Sequence, residues 1–216
     1  MLKQLIAQIQ ARRKLRLQKS FKKELFRKSI HLSSLWIPAL IYFTHPGFAI
    51  MVFSVLFVGN TILEYANYKR YRWARKTFGI LVFRLLRNKE TKRQTFQVSG
   101  SMYVLMAAIA CTLMFSKPVA VIALTVMLIS DTCAALVGKA YGTRRLYKQK
   151  SLEGTAAFFM SALLINICYE PIYHFTYAGV IACLAATFAE MFEDRLEIDD
   201  NLSIPVVIGI VLTLLG

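Results

Sequence analysis

A single aspartate interrupts a long apolar run in the middle of the chain. Asp131 lies in the run Val119–Val137, about seven residues before Gly138, which on a helix is roughly 10 Å from the end of the run. An ionisable side chain at that depth is costly and usually faces a bundle interior or a water-filled cavity. Ala134 and Ala135 leave room on the same helix face. Asp131 is therefore a candidate functional residue, with a structural polar pair between helices as the alternative.

A basic loop with glycines follows this run and carries groups that suit phosphate. Backbone N–H groups at a helix N-terminus and lysine side chains both attract phosphate oxygens. The alternatives are that the glycines only pack helices and that the cations only set the topology of the chain. The candidate phosphate contacts in this loop are Gly138, Lys139, Gly142, Lys150, Ser151 and Gly154.

Acidic residues concentrate near the C-terminal end of the chain. Six of the twelve acids, together with Asn201, fall within the segment 190–201. Mg²⁺ binds one or two protein carboxylates and takes its other ligands from water and substrate phosphates. A carboxylate can also accept the proton of an attacking hydroxyl group. This chemistry makes Glu190, Asp199 and Asp200 candidate metal or base residues. A solvated acidic segment at a helix N-terminus is the alternative.

Another charged group precedes the first apolar run. Its members recur every three or four positions and therefore share one face of a helix. They are Glu24, Arg27, Lys28 and His31. The two cations could hold phosphate, and the histidine could form a hydrogen bond or shuttle a proton. The alternative is that the cations snorkel to a membrane interface beside a hydrogen-bonded histidine. A second basic segment, which follows the second apolar run, contributes Arg87 as a further candidate cation.

Long apolar runs must position these groups. The chain is 56% hydrophobic and carries a formal charge of +15, whereas soluble domains are about 45–50% apolar. Apolar runs separated by basic segments indicate an all-α, polytopic transmembrane helical bundle. The predicted spans, about seven in number, are Ile30–Phe43, Phe48–Tyr65, Val98–Phe115, Val119–Val137, Thr155–Tyr169, Tyr173–Met191 and Leu202–Leu215. We expect a basic amphipathic N-terminal segment, 1–28, and a transmembrane catalytic domain, 29–216.

The distribution of positive charge predicts the orientation of the bundle. Of the 27 Lys and Arg residues, all except Lys117 fall in the N-terminal segment and in alternate loops. The positive-inside rule therefore places the N-terminus and the candidate site on the cytoplasmic side of a membrane, which we expect to be the inner membrane. The cations are dispersed among membrane-flanking segments, so no nucleic-acid partner is expected.

In their order along the chain, these segments resemble the membrane family of dolichol kinase, phytol kinase and CTP-dependent diacylglycerol kinase, which is related to the CDP-diacylglycerol synthases. The resemblance covers the chain from about residue 24 to its end. The matching stretches are Arg27–His31, Leu86–Glu90 with Gly100, Asp131–Gly138 with Tyr141 and Gly142, Lys150–Gly154, Glu190, and Asp199–Pro205.

The resemblance implies a kinase that transfers the γ-phosphoryl group of CTP, with Mg²⁺, to the hydroxyl of a polyprenol, phytol or diacylglycerol. Phosphoryl transfer mainly requires positioned substrates and neutralised charge, which cations and carboxylates provide. In this hypothesis, Asp131 and Glu190 hold Mg²⁺. The nucleotide contacts are Arg27, Lys28, Arg87, Gly138, Lys139, Gly142, Lys150, Ser151, Glu153, Gly154 and Asn201, and the catalytic residues are Asp199, Asp200 and His31.

Two other functions stay open. One is a CDP-lipid synthase, in which a phosphate of phosphatidate attacks the α-phosphorus of CTP; the short chain and the Asp199-Asp200-Asn201 segment after Glu190 favour the kinase. The other is a transporter or a non-catalytic scaffold, which would place charged or broken helices in corresponding halves of the chain. The sequence has one buried acid and no internal repeat, which disfavours that reading.

Overall fold

The computed structural model describes residues 20–69, 71, 98–148, 150–174, 176–196 and 198–216. Residues 1–19 of the predicted N-terminal segment, and most of the second basic segment with Arg87, lie outside the described residues. The helices are α1 over 20–33, α2 Trp36–Phe43, α3 Pro46–Tyr68, α4 Gly100–Met114, α5 Lys117–Tyr141, α6 Leu152–Tyr173, α7 Thr176–Met191, α8 Glu193–Leu196 and α9 Asp200–Leu215. Two short strands, β1 Arg145–Tyr147 and β2 Lys150–Ser151, lie between α5 and α6.

The helices confirm the predicted all-α architecture. Three of them, α3, α5 and α6, are long and apolar enough to cross a bilayer. The helices α4, α7 and α9 are apolar but shorter. The count of seven spans and the cytoplasmic position of the N-terminus stay predictions.

The first predicted span is divided into two helices, α1 and α2, by a break at Ser34 and Leu35. Pro38 explains this break because it has no N–H to donate to the carbonyl of Ser34, and its ring crowds that carbonyl. The carbonyl instead accepts from the N–H of Ile37 at 2.8 Å, in the tighter spacing of a 3₁₀ turn. The break follows directly after the last turn of α1, which carries His31.

The helix α5 forms the centre of the bundle. It packs against α2, α4, α6 and α9, and every side chain over 119–128 is buried. A helix that is apolar on all its faces belongs in a core. The helix α3, by contrast, exposes large side chains such as Val55 and Ile62, as a lipid-facing helix does. Asp131 therefore projects among other helices.

A β-hairpin, which the all-α prediction did not include, connects α5 to α6. Its strands are antiparallel, with Arg145 opposite Ser151 and Tyr147 opposite Lys150, and Lys148 in the turn has a φ of 45°. The ring of Tyr147 packs edge-on against that of Phe192, with the centroids 5.4 Å apart. The hairpin thus fixes Lys150 beside the end of α7.

The helices α5 and α6 cross closely next to the hairpin. A Cβ atom at Gly154 would lie 2.9 Å from the carbonyl oxygen of Ala134 and 3.1 Å from Cα of Gly138. A Cβ atom at Gly142 would lie 2.7 Å from Oγ of Ser151, which is the N-cap of α6 and accepts from the N–H of Gly154. These positions need glycine because a larger residue would push the helices apart. The glycines therefore pack helices, and their phosphate role stays a prediction.

Candidate functional site

A buried ion pair between Lys28 and Asp131 joins α1 to α5. Nζ of Lys28 donates to Oδ2 of Asp131, and only 1% of Lys28 and 5% of Asp131 is exposed. Burial removes both charges from water, and their attraction offsets that cost only while both partners are present. The pair therefore explains how an aspartate is tolerated inside α5.

His31 lies beside this ion pair. Its Nε2 is 3.4 Å from Oδ2 of Asp131 and has no hydrogen-bond partner among the described residues. This separation is longer than that of an ordinary hydrogen bond between a nitrogen and an oxygen. His31 therefore keeps a ring nitrogen that a substrate could engage.

Glu24 bridges two cations at the outer end of the same contact. Its Oε1 accepts from Nε and Nη2 of Arg27 at 3.1 and 2.5 Å, and its Oε2 accepts from Nζ of Lys139 at 3.2 Å. Burial disfavours the charged carboxylate, but Arg27 and Lys139 hold the pKa of Glu24 below its ordinary value. Since Lys139 belongs to the last turn of α5, α1 is attached to α5 at two levels.

Lys150 forms a second ion-paired group with the end of α7. Its Nζ is 2.6 Å from Oε1 of Glu190 and 3.2 Å from Oε2 of Glu193. Burial disfavours the ammonium group, but Glu190, Asp200 and Glu193 hold the pKa of Lys150 above its ordinary value. The second oxygen of Glu190, Oε2, is buried and has no hydrogen-bond partner among the described residues. That oxygen is available to a ligand.

Three carboxylates converge at the start of α9. One oxygen each from Glu193, Asp199 and Asp200 lies within 4.8 Å of the other two, a spacing that one cation can bridge. Asp199 is also the N-cap of α9, because its Oδ1 accepts from the backbone N–H of Asn201 at 3.1 Å and from Nδ2 of that residue at 2.5 Å. These are the hard oxygen donors that Mg²⁺ prefers, and with the unpartnered oxygen of Glu190 nearby the donor set fits this ion.

Asp200 connects the two ion-paired groups electrostatically. Burial disfavours the guanidinium of Arg27, but Glu24, and then Asp131 and Asp200, hold the pKa of Arg27 above its ordinary value. Asp200 has the same effect on the pKa of Lys150. The charged residues at this end of the bundle therefore act on one another, and we refer to them as the charged cluster: Glu24, Arg27, Lys28, His31, Asp131, Lys139, Lys150, Glu190, Glu193, Asp199 and Asp200.

Glu153 closes the loop between α5 and β1. Its Oε1 accepts from the N–H of Thr143 at 3.1 Å, from Oγ1 of Thr143 at 2.5 Å and from the N–H of Arg144 at 3.3 Å. A carboxylate repels phosphate, so this geometry favours an indirect contribution to nucleotide binding, through the shape of the loop. The direct nucleotide contact predicted for Glu153 stays a prediction.

Most of the predicted site residues lie at this end of the bundle, and two further residues, Glu24 and Glu193, join them. Glu193 had no predicted role, and the available signal was its spacing of three residues from Glu190. Sequence reasoning also missed the partner of Asp131, because a predicted metal ligand is engaged by Lys28 in the structure. Arg87 lies outside the described residues. The predicted roles that lie close together in space are the catalytic His31, Asp199 and Asp200, the metal-binding Asp131 and Glu190, and the phosphate-binding Arg27, Lys28, Lys139 and Lys150.

Comparisons with known proteins support a relationship to lipid kinases. A probable chloroplastic phytol kinase of Triticum aestivum is 28% identical over 144 residues, which are 59% of this chain and 47% of the kinase. The CTP-dependent diacylglycerol kinase 1 of Eremothecium gossypii is 30% identical over 142 residues, which are 55% of this chain and 45% of the kinase. The chain thus spans less than half the length of either kinase. No protein-family model and no solved structure matches it.

A third relative matches over nearly the whole chain. The uncharacterized protein RP860 of Rickettsia prowazekii is 32% identical over 189 residues, which are 83% of this chain and 88% of that protein. The chain therefore belongs to the same family as the Rickettsia protein, and it is a membrane protein related to lipid kinases.

Proposed function

We propose that this protein is a membrane lipid kinase that transfers the γ-phosphoryl group of CTP, or of another nucleoside triphosphate, to the hydroxyl of a lipid alcohol. The observation that supports this proposal is the charged cluster, in which cations and carboxylates from five helices and a hairpin meet at one end of an apolar bundle. The two named kinases among the relatives agree with this class of reaction. The lipid, the nucleotide and the acceptor class belong to the proposal.

A divalent cation fits the electrostatic balance of the charged cluster. Its carboxylates outnumber its cations, so a triphosphate would be repelled unless further positive charge came with it. Mg²⁺ would neutralise the phosphate oxygens and the charge that develops on the leaving group. Glu193 and Asp199 are the residues that would hold it, with Glu190 as the third donor. A metal ion at Asp131 would have to displace Lys28.

The transfer itself needs little covalent chemistry from the protein. The lipid hydroxyl oxygen forms a bond to the γ-phosphorus, the bond from that phosphorus to the bridging oxygen breaks, and the nucleoside diphosphate leaves. The hydroxyl proton passes to a base, for which we propose Asp200, because it lies among the carboxylates and also acts on Arg27. Arg27, Lys139 and Lys150 bind phosphate oxygens in this proposal, and His31 orients the hydroxyl.

The depth of Asp131 supports a lipid acceptor. Its pair with Lys28 lies inside the bundle, whereas Lys139 lies in the last turn of α5 and Lys150 lies in the hairpin. A lipid hydroxyl that enters from the bilayer and a nucleotide that enters from water would therefore meet at this level. We propose that this end faces the cytoplasm, in agreement with the positive-inside rule.

Labelled nucleotide tests the proposal directly. The purified protein, in nanodiscs, is incubated with Mg²⁺, a lipid extract and CTP that carries the label at either the γ or the α position. A kinase transfers label to lipid only from the γ position. Label that reaches lipid only from the α position would show a CDP-lipid synthase. If neither nucleotide labels lipid, both enzymatic functions are excluded. Mass spectrometry of the labelled lipid identifies the acceptor.

A matched pair of variants controls this experiment. Lys150→Gln removes a cation of the charged cluster, and Lys117→Gln removes the lysine at the opposite end of α5. We expect transfer from γ-labelled CTP to fall at least tenfold in the first variant and to stay within about twofold of the wild type in the second. Equal activity in the two variants would disprove the placement of the site.

A further inference from the structure

The carboxylate of Glu24 contacts two of the cations to which the proposed function assigns phosphate binding. Arg27 belongs to α1 and Lys139 to α5, so the contact joins two helices. Glu24 itself has no part in the proposed reaction, because an acid beside a phosphate would weaken binding by repulsion. Its position between these two cations therefore requires an explanation.

The hydrogen bonds of Glu24 leave both cations able to bind a second partner. A guanidinium has five N–H donors, and Glu24 engages Nε and one nitrogen of the fork, Nη2. An ammonium has three donors, and Lys139 makes one contact to Glu24 at 3.2 Å. Among the described residues no other hydrogen bond engages the remaining donors, so they can contact an anion while the bridge stays in place. Glu24 and a bound anion therefore need not compete for the same N–H donors.

The bridge also reduces the cost of bringing two cations together. Two like charges repel when they approach one anion, and long side chains lose conformational freedom when they are fixed. A carboxylate between Arg27 and Lys139 offsets the repulsion and fixes both side chains before the ligand arrives. The carboxylate also stays ionised at neutral pH, since both cations hold the pKa of Glu24 below its ordinary value, after allowance for burial.

We infer that Glu24 is a positioning residue of the nucleotide site, which holds Arg27 and Lys139 ready for triphosphate oxygens. This inference rests on the proposed function. Glu24 acts through the two cations and touches no reacting atom. Loss of its charge therefore weakens nucleotide binding and leaves the transfer step almost unchanged.

Kinetics of Glu24→Gln in the full chain in nanodiscs test the inference. We expect the KM for CTP to rise at least fivefold and kcat to stay within about twofold. Glu24→Asp keeps the charge but is one methylene shorter, so its KM lies between those of the wild type and Glu24→Gln. The matched control is Glu170→Gln, on α6 about 27 Å along the helix from Leu152, and it leaves the KM unchanged. An unchanged or lower KM in Glu24→Gln overturns the inference.

A double-mutant cycle tests whether Glu24 acts through Lys139. If it does, Glu24→Gln raises the KM by a smaller factor in the Lys139→Gln background than in the wild type, because one of the two partners of Glu24 is already absent. Effects of the two substitutions that multiply would show independent action and would contradict the bridge.

Binding without turnover separates this inference from the proposed function. Mg²⁺–CTP should raise the melting temperature of the wild type, and by less than half as much for Glu24→Gln at the same concentration. If that difference appears while no lipid is phosphorylated, the inference stands and the kinase proposal fails. If transfer occurs and the two proteins respond equally to CTP, the inference fails alone. If CTP stabilises neither protein, the inference fails for CTP, and the kinase proposal fails as well if no nucleoside triphosphate supports lipid phosphorylation.

Discussion

The two ion-paired groups of the charged cluster have opposite balances of charge. Around Asp131, three cations, Arg27, Lys28 and Lys139, face two carboxylates. Around Lys150, a single cation faces the acids at the end of α7 and the start of α9. The first group is suited to phosphate oxygens and the second to a metal ion. A phosphoryl-transfer site needs both, and here different helices supply them.

The central lysines of the two groups, Lys28 and Lys150, also differ in burial. Lys28 and Asp131 are almost inaccessible, whereas the side chain of Lys150 is 23% exposed. Loss of one partner from a fully buried ion pair strongly destabilises the fold, because the remaining charge has no access to water. A partly exposed ion pair can instead exchange one partner for a ligand. We therefore expect substitution of Lys28 or Asp131 to affect stability as well as activity, and substitution of Lys150 to affect mainly activity.

The largest expected effect comes from Asp131→Asn. The substitution leaves Lys28 buried without a counter-charge, which costs about 3–5 kcal/mol of the free energy of unfolding. Transfer from labelled CTP should fall below detection, and the melting temperature should fall far more than in Lys150→Gln. Lys28→Met/Asp131→Leu, which removes both charges, should recover the melting temperature without the activity. Equal melting temperatures in Asp131→Asn and Lys150→Gln would contradict the contrast between the two groups.

A second substitution sharpens the contrast in metal binding. In Glu193→Gln one of the proposed metal ligands is lost, so the affinity for Mn²⁺, used as a paramagnetic probe for Mg²⁺, should fall about tenfold. Electron paramagnetic resonance of the protein without nucleotide measures free Mn²⁺ directly. The Lys28→Met/Asp131→Leu variant should bind Mn²⁺ like the wild type. Loss of Mn²⁺ binding in that variant would instead place the metal at Asp131.

A smaller effect is expected from the loop that holds Lys150. Glu153→Ala removes the acceptor for the N–H groups of Thr143 and Arg144, so the hairpin loses its fixed start. The KM for CTP should rise three- to tenfold, with little change in Mn²⁺ affinity. Glu153→Gln keeps one oxygen acceptor, so the logarithm of its fold increase in KM should be about half of that for Glu153→Ala. A larger loss in Mn²⁺ affinity than in nucleotide affinity would refute this separation.

The architecture was predictable from the sequence because apolar runs of helical length leave few alternatives in a membrane. The boundaries of α3, α5 and α6 agree with the predicted spans to within a few residues. The hairpin was not predicted, since two-residue and three-residue strands in a basic loop carry no alternating pattern. Pro38 indicated a helix break, but the predicted first span continued through it.

The residues of the site were more predictable than their partners. An aspartate inside an apolar helix and an acidic segment after another helix are visible in the sequence as departures from the apolar pattern. The contact between Lys28 and Asp131 spans 103 positions, and no local spacing encodes it. The spacing of Glu193 from Glu190 was visible in the sequence, but its contact with Lys150 depends on the turn after α7.

The break at Pro38 has a consequence for the response of the protein to its bilayer. A continuous helix transmits a change of tilt along its whole length when membrane thickness changes. Here the hydrogen-bond ladder is interrupted between α1 and α2, so tilting of α2 need not rotate α1, which carries Arg27 and Lys28. The contacts of α1 with α5 set the tilt of α1 instead. Changes in bilayer thickness should therefore have little effect on the geometry of the site. Bilayers made from lipids of different acyl-chain length should change the activity of the wild type less than that of Pro38→Ala.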